Sequence, residues 1–316
     1  MNSNVFQQNF FKDPIKHLKE ICEYVNNFPL NTSESEIDVL EDTKKTLEIA
    51  DKTKPAITTI KLAELLHAKK FETIINQVKN LDLKIKPISK IVASAYLSKA
   101  LIFLTKDESQ FQIHFDKAIS LKPDFYQAYA DVGTKLISSN KIDALIKAKD
   151  FFENCFTINP KIKDDTIIGH YAIALSKLAR IREDKSLFEK ALVQYENALK
   201  IQPEHANHLG NYGNALQDLG RIKQDESLFE KAFVQYENAL KTQPNKTYNL
   251  ACYYALIRDS EKSKINLLHA EKHDTLPKNS LKYLKEDTDL DNVRNEPWFT
   301  ELLERLKAKE EAEKVA

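Results

Sequence analysis

From Phe188 onward, apolar side chains fall at Ala191, Leu192, Tyr195, Ala198 and Leu199, with Glu, Lys, Gln and Asn between them. Three- and four-residue spacing predicts an α-helix. The apolar stripe is too broad for a helix lying on one neighbour, so two contact surfaces are implied. One faces the helix before it, the other the next unit along the chain. The segment "SLFEKALVQYENALKIQP" (186–203) is then written again as "SLFEKAFVQYENALKTQP" (227–244), 41 positions later. Only Leu192 against Phe233 and Ile201 against Thr242 differ. The match extends upstream, so one unit reads as a first helix, a polar connection and a second helix. Ser186 with Glu189, and Ser227 with Glu230, have the spacing of a capping box at the start of the second helix. Pro203 and Pro244 mark its end, because proline breaks the hydrogen-bond ladder and disfavours helix in the residue before it. A unit with two apolar surfaces cannot bury both alone and must stack.

These residues resemble the tetratricopeptide repeat family. Its pattern orders a small residue, a large one, Ala, an aromatic, Ala and Pro. One twin unit supplies Gly213, Leu216, Ala232, Tyr236, Ala239 and Pro244; the other supplies Ala172, Leu175, Ala191, Tyr195, Ala198 and Pro203. Both fit after allowing seven extra residues, "GRIKQDE" and "ARIREDK", which imply a longer first helix or turn. Sparser matches are Gly133, Leu136, Phe152 and Pro160; Phe115, Ala118 and Pro123; Ala63, Leu66 and Pro87; and Ala251, Tyr254 and Ala270. The resemblance implies an all-α fold, a right-handed α-solenoid of stacked antiparallel helix hairpins. About six units would occupy 56–275, with the twins at 165–203 and 206–244. Residues 1–55 are then expected to form a helical cap, and 276–316 capping helices with a fraying tail. Trp298 is expected to plug the last repeat.

Composition agrees. Only 5 Gly and 10 Pro punctuate 316 residues, too few for an all-β protein with many tight turns. The 47 basic and 47 acidic side chains balance, so nucleic acid is not the expected partner. The lysine-rich stretch 61–90 reads as a solvated helical face. The N-terminus lacks a leader pattern, and no apolar run reaches the length of a membrane span, so no membrane insertion is expected. Cys22, Cys155 and Cys252 are widely spaced, which suggests neither a disulfide framework nor a zinc cluster and points to the cytoplasm.

Candidate chemistry is sparse. The chain has no Gly-rich phosphate loop, nucleophile elbow or H-E-x-x-H motif, so a non-catalytic protein without metal or cofactor is expected. His269 and His273 share a helix face but have no third ligand in view, and His205 and His208 read as polar residues at a helix start. Cys155 falls where the repeat packs a small residue. The family resemblance implies that first helices line a concave groove, here through Asn207, Gly210, Asn211, Asn214, Gln217 and Asp218. Helical spacing alone puts Asn207, Asn211, Asn214 and Asp218 on one face. Asn is a mediocre helix former whose amide both donates and accepts, which suits an extended peptide backbone. The neighbouring units would add Thr166, His170, Lys177 and Asn249. The family's carboxylate clamp is matched only in part, by Asn214 and Asn249, with Gly210 where its lysine belongs. The expected function is binding of a protein or extended peptide by an adaptor or scaffold. The alternative is a regulatory module that sequesters a folded partner, antitoxin- or effector-like.

Overall fold

A computed structural model describes residues 55–315 apart from 140. The expected N-terminal cap, with Cys22, lies outside these residues. Every regular element among the described residues is helical. The chain divides into two compact units, 1–128 and 129–316.

In the first unit, α1 (55–67) and the short α2 (Phe71–Gln77) precede α3 (Lys86–Phe103) and α4 (Glu108–Leu121). Leu62, Ile74, Ile88, Val92 and Ala95 form its core. The segment that had lost the aromatic and alanines of its second helix makes only α2 and a 3₁₀ turn, Val78–Asn80. Without small and ring-bearing positions, a longer second helix has nothing to lock against its neighbours.

The second unit takes α5 (Tyr126–Leu136) from Tyr129 onward, then α6 (Ile142–Ile158), α7 (Asp165–Arg182), α8 (Lys185–Ile201), α9 (Ala206–Lys223) and α10 (Glu226–Thr242). It continues through α11 (Tyr248–Leu256), α12 (Ser260–Lys272), α13 (Ser280–Glu286), a 3₁₀ segment (Thr288–Val293) and α14 (Pro297–Val315). Helices α7 and α8, α9 and α10, and α11 and α12 pack as antiparallel hairpins, and α8 packs on α9 in turn. This is the expected all-α stack of hairpins. Both surfaces of the α8 stripe are used: Phe188, Ala191 and Tyr195 bury with Ala172, Leu175 and Ala179 of α7 and with Ala215 and Leu219 of α9. The small-residue position has a direct steric cause at Gly213, where a Cβ would lie 2.4 Å from the ring of Tyr236.

The seven extra residues lengthen the first helix and leave a tight turn. Ala179–Arg182 and Gly220–Lys223 are the last residues of α7 and α9. Glu183 and Gln224 then adopt left-handed conformations, with φ 51° and 55°. Asp184 N–H donates to the Ala179 carbonyl and Asp225 N–H to that of Gly220, each at 3.0 Å. The capping-box reading is corrected here. The N-caps are Asp184, which accepts from the amides of Ser186 and Leu187, and Asp225, which accepts from that of Ser227. An Asp cap satisfies the same orphan amides and adds a charge that favours the helix dipole, so the helices start before the serines. Glu189 instead accepts a 2.6 Å bond from Lys223 of α9. Helices α8 and α10 stop at Ile201 and Thr242, just before the prolines and their preceding residues.

Beyond the last hairpin, Leu284, Leu290, Trp298, Phe299, Leu302 and Leu306 close over Ala251, Cys252, Ala255 and Leu267. Trp298 is a packing residue in this cluster. Helix α14 continues through Lys307–Val315, the segment read as a fraying tail. No helix among the described residues is long and apolar enough to cross a membrane.

Candidate functional site

The first turns of α7, α9 and α11 open on one depression of about 520 Å³ in the second unit. Thr166 and His170 of α7, Asn207 and Asn211 of α9, and Asn249 of α11 line it. The Gly210 gap is filled by the next first helix, since a Cβ there would meet Asn249 Nδ2 at 3.0 Å. Lys246, in the turn before α11, reaches the same space and donates to Asn207 Oδ1 at 3.3 Å. His170 Nδ1 is held 3.0 Å from Thr134 Oγ1, and burial lowers its pKa, so the ring is neutral near pH 7. The described lining residues include no Asp or Glu.

Four sequence-selected residues lie elsewhere. Lys177 donates to the Ile137 carbonyl at 2.9 Å, and Asn214 Oδ1 accepts from Tyr236 Oη at 2.9 Å. Gln217 and Asp218, each only 3% exposed, belong to a polar cluster at the other end of α9. There Arg180 and Arg221 contact Asp218 at 2.7 and 3.1 Å. Asp289, from the 3₁₀ segment, accepts from Gln217 Nε2 at 3.1 Å and Arg221 at 3.3 Å. The chain's own C-terminal segment therefore occupies that part of the first-helix face. Helical periodicity located the face, but not what returns to cover it.

Burial pushes the Asp289 carboxyl up to about 6, with added repulsion from Asp287 and Asp218 that Arg221 and Arg180 partly offset. Unfolded Asp titrates near ~3.9. The folded chain thus keeps a proton that the unfolded chain has lost, and stability falls as pH rises from about 4 to about 6. Asp289→Asn is expected to be more stable than the native chain by about 1–2 kcal/mol above this window and equal to it below. Urea denaturation of both chains on either side of the window checks this; an equal difference at both pH values would contradict it.

Among the lining residues that had not been singled out as groove residues are His205, His208 and Lys246. A signal was present in the repeat itself. At an offset of 41, Asp164 aligns with His205 and Lys246, and Ile167 with His208 and Asn249. These positions fall at the start of the first helix, where the copies diverge, rather than in the near-identical second helix. His269 and His273 have ring centroids 4.5 Å apart, and no ligand cluster among the described residues includes them. Cys155 is fully buried, and burial pushes its thiol up to about 11, as a packing residue's would be.

A family model described as plant specific mitochondrial import receptor subunit TOM20 matches residues 139–279, less than half of the chain. No curated protein matches the sequence. Among similar solved structures, one titled MamA AMB-1 is 15% identical, covering 56% of this chain and 96% of its own with a TM-score of 0.36. A second crystal form under the MamA AMB-1 title is 15% identical over 57% of this chain and 97% of its own, with a TM-score of 0.37. One titled MamA MSR-1 is 16% identical over 59% of this chain and 99% of its own, with a TM-score of 0.37.

Proposed function

We propose that this protein is a non-catalytic scaffold of tetratricopeptide type that binds an extended peptide segment of a partner protein in the depression at α7, α9 and α11. The observation that carries the reading is the convergence of Thr166, His170, Asn207, Asn211 and Asn249 from three successive first helices. Amides on this stripe can pair with both the N–H and C=O groups of an extended backbone. The first turns of three helices, their positive ends, border the same space, and Lys246 adds a full charge with no lining carboxylate to neutralise it. A carboxylate of the bound segment, terminal or side-chain, is the complementary group. The TOM20 family description names an import receptor subunit, and capture of a protein segment is a receptor's task. Cys155 and Cys252 are free thiols, in keeping with the cytoplasm as its proposed compartment.

A peptide array of extended sequences, each with a free or an amidated C-terminus, tests the reading. Peptides bound by the native chain are expected to lose about tenfold or more in affinity for the Asn207→Ala, Asn211→Ala, Asn249→Ala triple variant, since each lost hydrogen bond is worth about 0.5–1.5 kcal/mol. Lys246→Glu is expected to weaken acidic and free-carboxylate peptides most. Fluorescence anisotropy on the hits measures both. Unchanged affinity in the triple variant would remove the groove assignment, and binding only to intact folded proteins would favour a sequestering module.

A further inference from the structure

The geometry points to a divalent transition-metal site, of zinc type, formed by His205 and His208, which line the depression, with Asp165 behind them. One ligand atom from each of the three lies within 4.8 Å of the others. His208 Nε2 already sits 3.0 Å from Asp165 Oδ2. Two ligands of one tetrahedral zinc ion, bound at about 2.0–2.1 Å, lie roughly 3.4 Å apart, so this pair is near its final spacing. His205 stacks on His208 with centroids 3.8 Å apart and planes 19° apart, so the in-plane lone pairs of the two rings lie in nearly parallel planes rather than converging on one point between them. Coordination therefore requires His205 to turn. It is only partly buried, and the hydrogen bond its ring accepts from the His208 amide is long at 3.3 Å.

The internal duplication explains why these residues are notable. His205 is the N-cap of α9, where the preceding copy uses Asp164 for α7. Asp is among the strongest N-cap residues and His is not. His208 replaces Ile167 of the preceding copy, and the residue is only 4% exposed. Gly169 is what admits its ring, since a Cβ there would come within 2.2 Å of it. Both residues lie in the part of the repeat where the two copies differ, and both converge on the same carboxylate. In the following copy the three positions become Ala206, Lys246 and Asn249, which cannot form such a set.

The ligand chemistry fits. Two imidazole nitrogens and one carboxylate oxygen suit zinc or another borderline divalent ion. Three protein ligands leave a fourth position for water, and His205 and His208 both border the open depression. The positive N-terminal ends of α7 and α9 oppose a cation, so the affinity should fall below that of a closed four-ligand structural site. The site stands on its own geometry and does not depend on peptide binding.

Equilibrium dialysis of the full chain against Zn2+, with metal quantified by atomic emission, is the test. One equivalent is expected at micromolar free zinc for the native chain and for the His269→Ala, His273→Ala control. His205→Ala and Asp165→Asn, each checked for native circular dichroism, are expected to bind at least about 100-fold more weakly. Gly169→Ala should weaken binding as well, by displacing the His208 ring. The inference is overturned if the native chain holds no zinc, if His205→Ala and Asp165→Asn hold it unchanged, or if the zinc is lost with His269 and His273.

Discussion

The Arg180→Ala, Arg221→Ala double variant is expected to lose about 3–5 kcal/mol of stability near neutral pH, whereas Asp218→Asn loses less than half of that. The asymmetry follows from where the charges sit. The Asp218 side chain is 3% exposed, while those of Arg180 and Arg221 are 54% and 45% exposed. Removing both cations strands a buried carboxylate, with Asp289 close by as a second negative charge. Removing the carboxylate charge instead leaves two guanidinium groups that water can reach. Urea unfolding of the three chains measures both losses. Equal destabilisation by the two routes would show that Asp218 is effectively solvated and that this cluster does not anchor the C-terminal segment. Adding Asp218→Asn to the double variant is expected to restore most of the loss.

Phe299→Ala is expected to cost about 3–5 kcal/mol, the range for deleting a buried aromatic ring. Phe299 is fully buried among Leu267, Leu284 and Leu302, and Trp298 stacks edge-on against it at 5.6 Å. The loss should be local at first, because a stacked helical array opens unit by unit from its ends. Cys252 reports on it. Its thiol is buried in the same cluster, hydrogen-bonded toward Asp287, and burial holds its pKa well above the ordinary thiol value. Alkylation located by peptide mass spectrometry should therefore reach Cys252 much faster in the variant, while Cys155 stays protected. Equal protection of both thiols in Phe299→Ala would mean that the C-terminal helices do not close this end of the core.

The scaffold was largely legible in the sequence because helical periodicity and a two-sided apolar stripe leave few ways to pack. Phe188, Ala191 and Tyr195 were identified as packing residues from spacing alone, and they are buried. The near-identity of the two second helices did not fix their burial, however. Phe188 is fully covered, whereas its counterpart Phe229 is only partly so. Helix α8 packs against the 18-residue α9, but α10 meets the 9-residue α11. The same side chains bury different areas because the next helix has a different length. The capping boxes were misplaced by two residues for a related reason. Two capping signals overlapped, Asp184 ahead of Ser186 and Asp225 ahead of Ser227, and local spacing did not rank them.

For the candidate site, the first-helix face was readable and its division was not. Asn207, Asn211, Asn214 and Asp218 share a stripe by periodicity, yet only Asn207 and Asn211 reach the open depression. Asn214 is bonded by Tyr236, and Asp218 is covered by arginines and the returning Asp289 segment. Lys246 entered from a turn that no helical pattern marks.

The sequence by itself determined the helices, the hairpin repeat and the side chains that pack between units. Those follow from local spacing, and from the need of each amphipathic helix to bury two surfaces. Only the tertiary structure decided which polar residues remain available, because that depends on contacts between residues about 40 to 70 positions apart, as between Asp165 and His208 or Gln217 and Asp289. The doubled second helix is the scaffold. Its nearly identical copies bring the unlike residues of the first helices together, and those residues form the candidate sites.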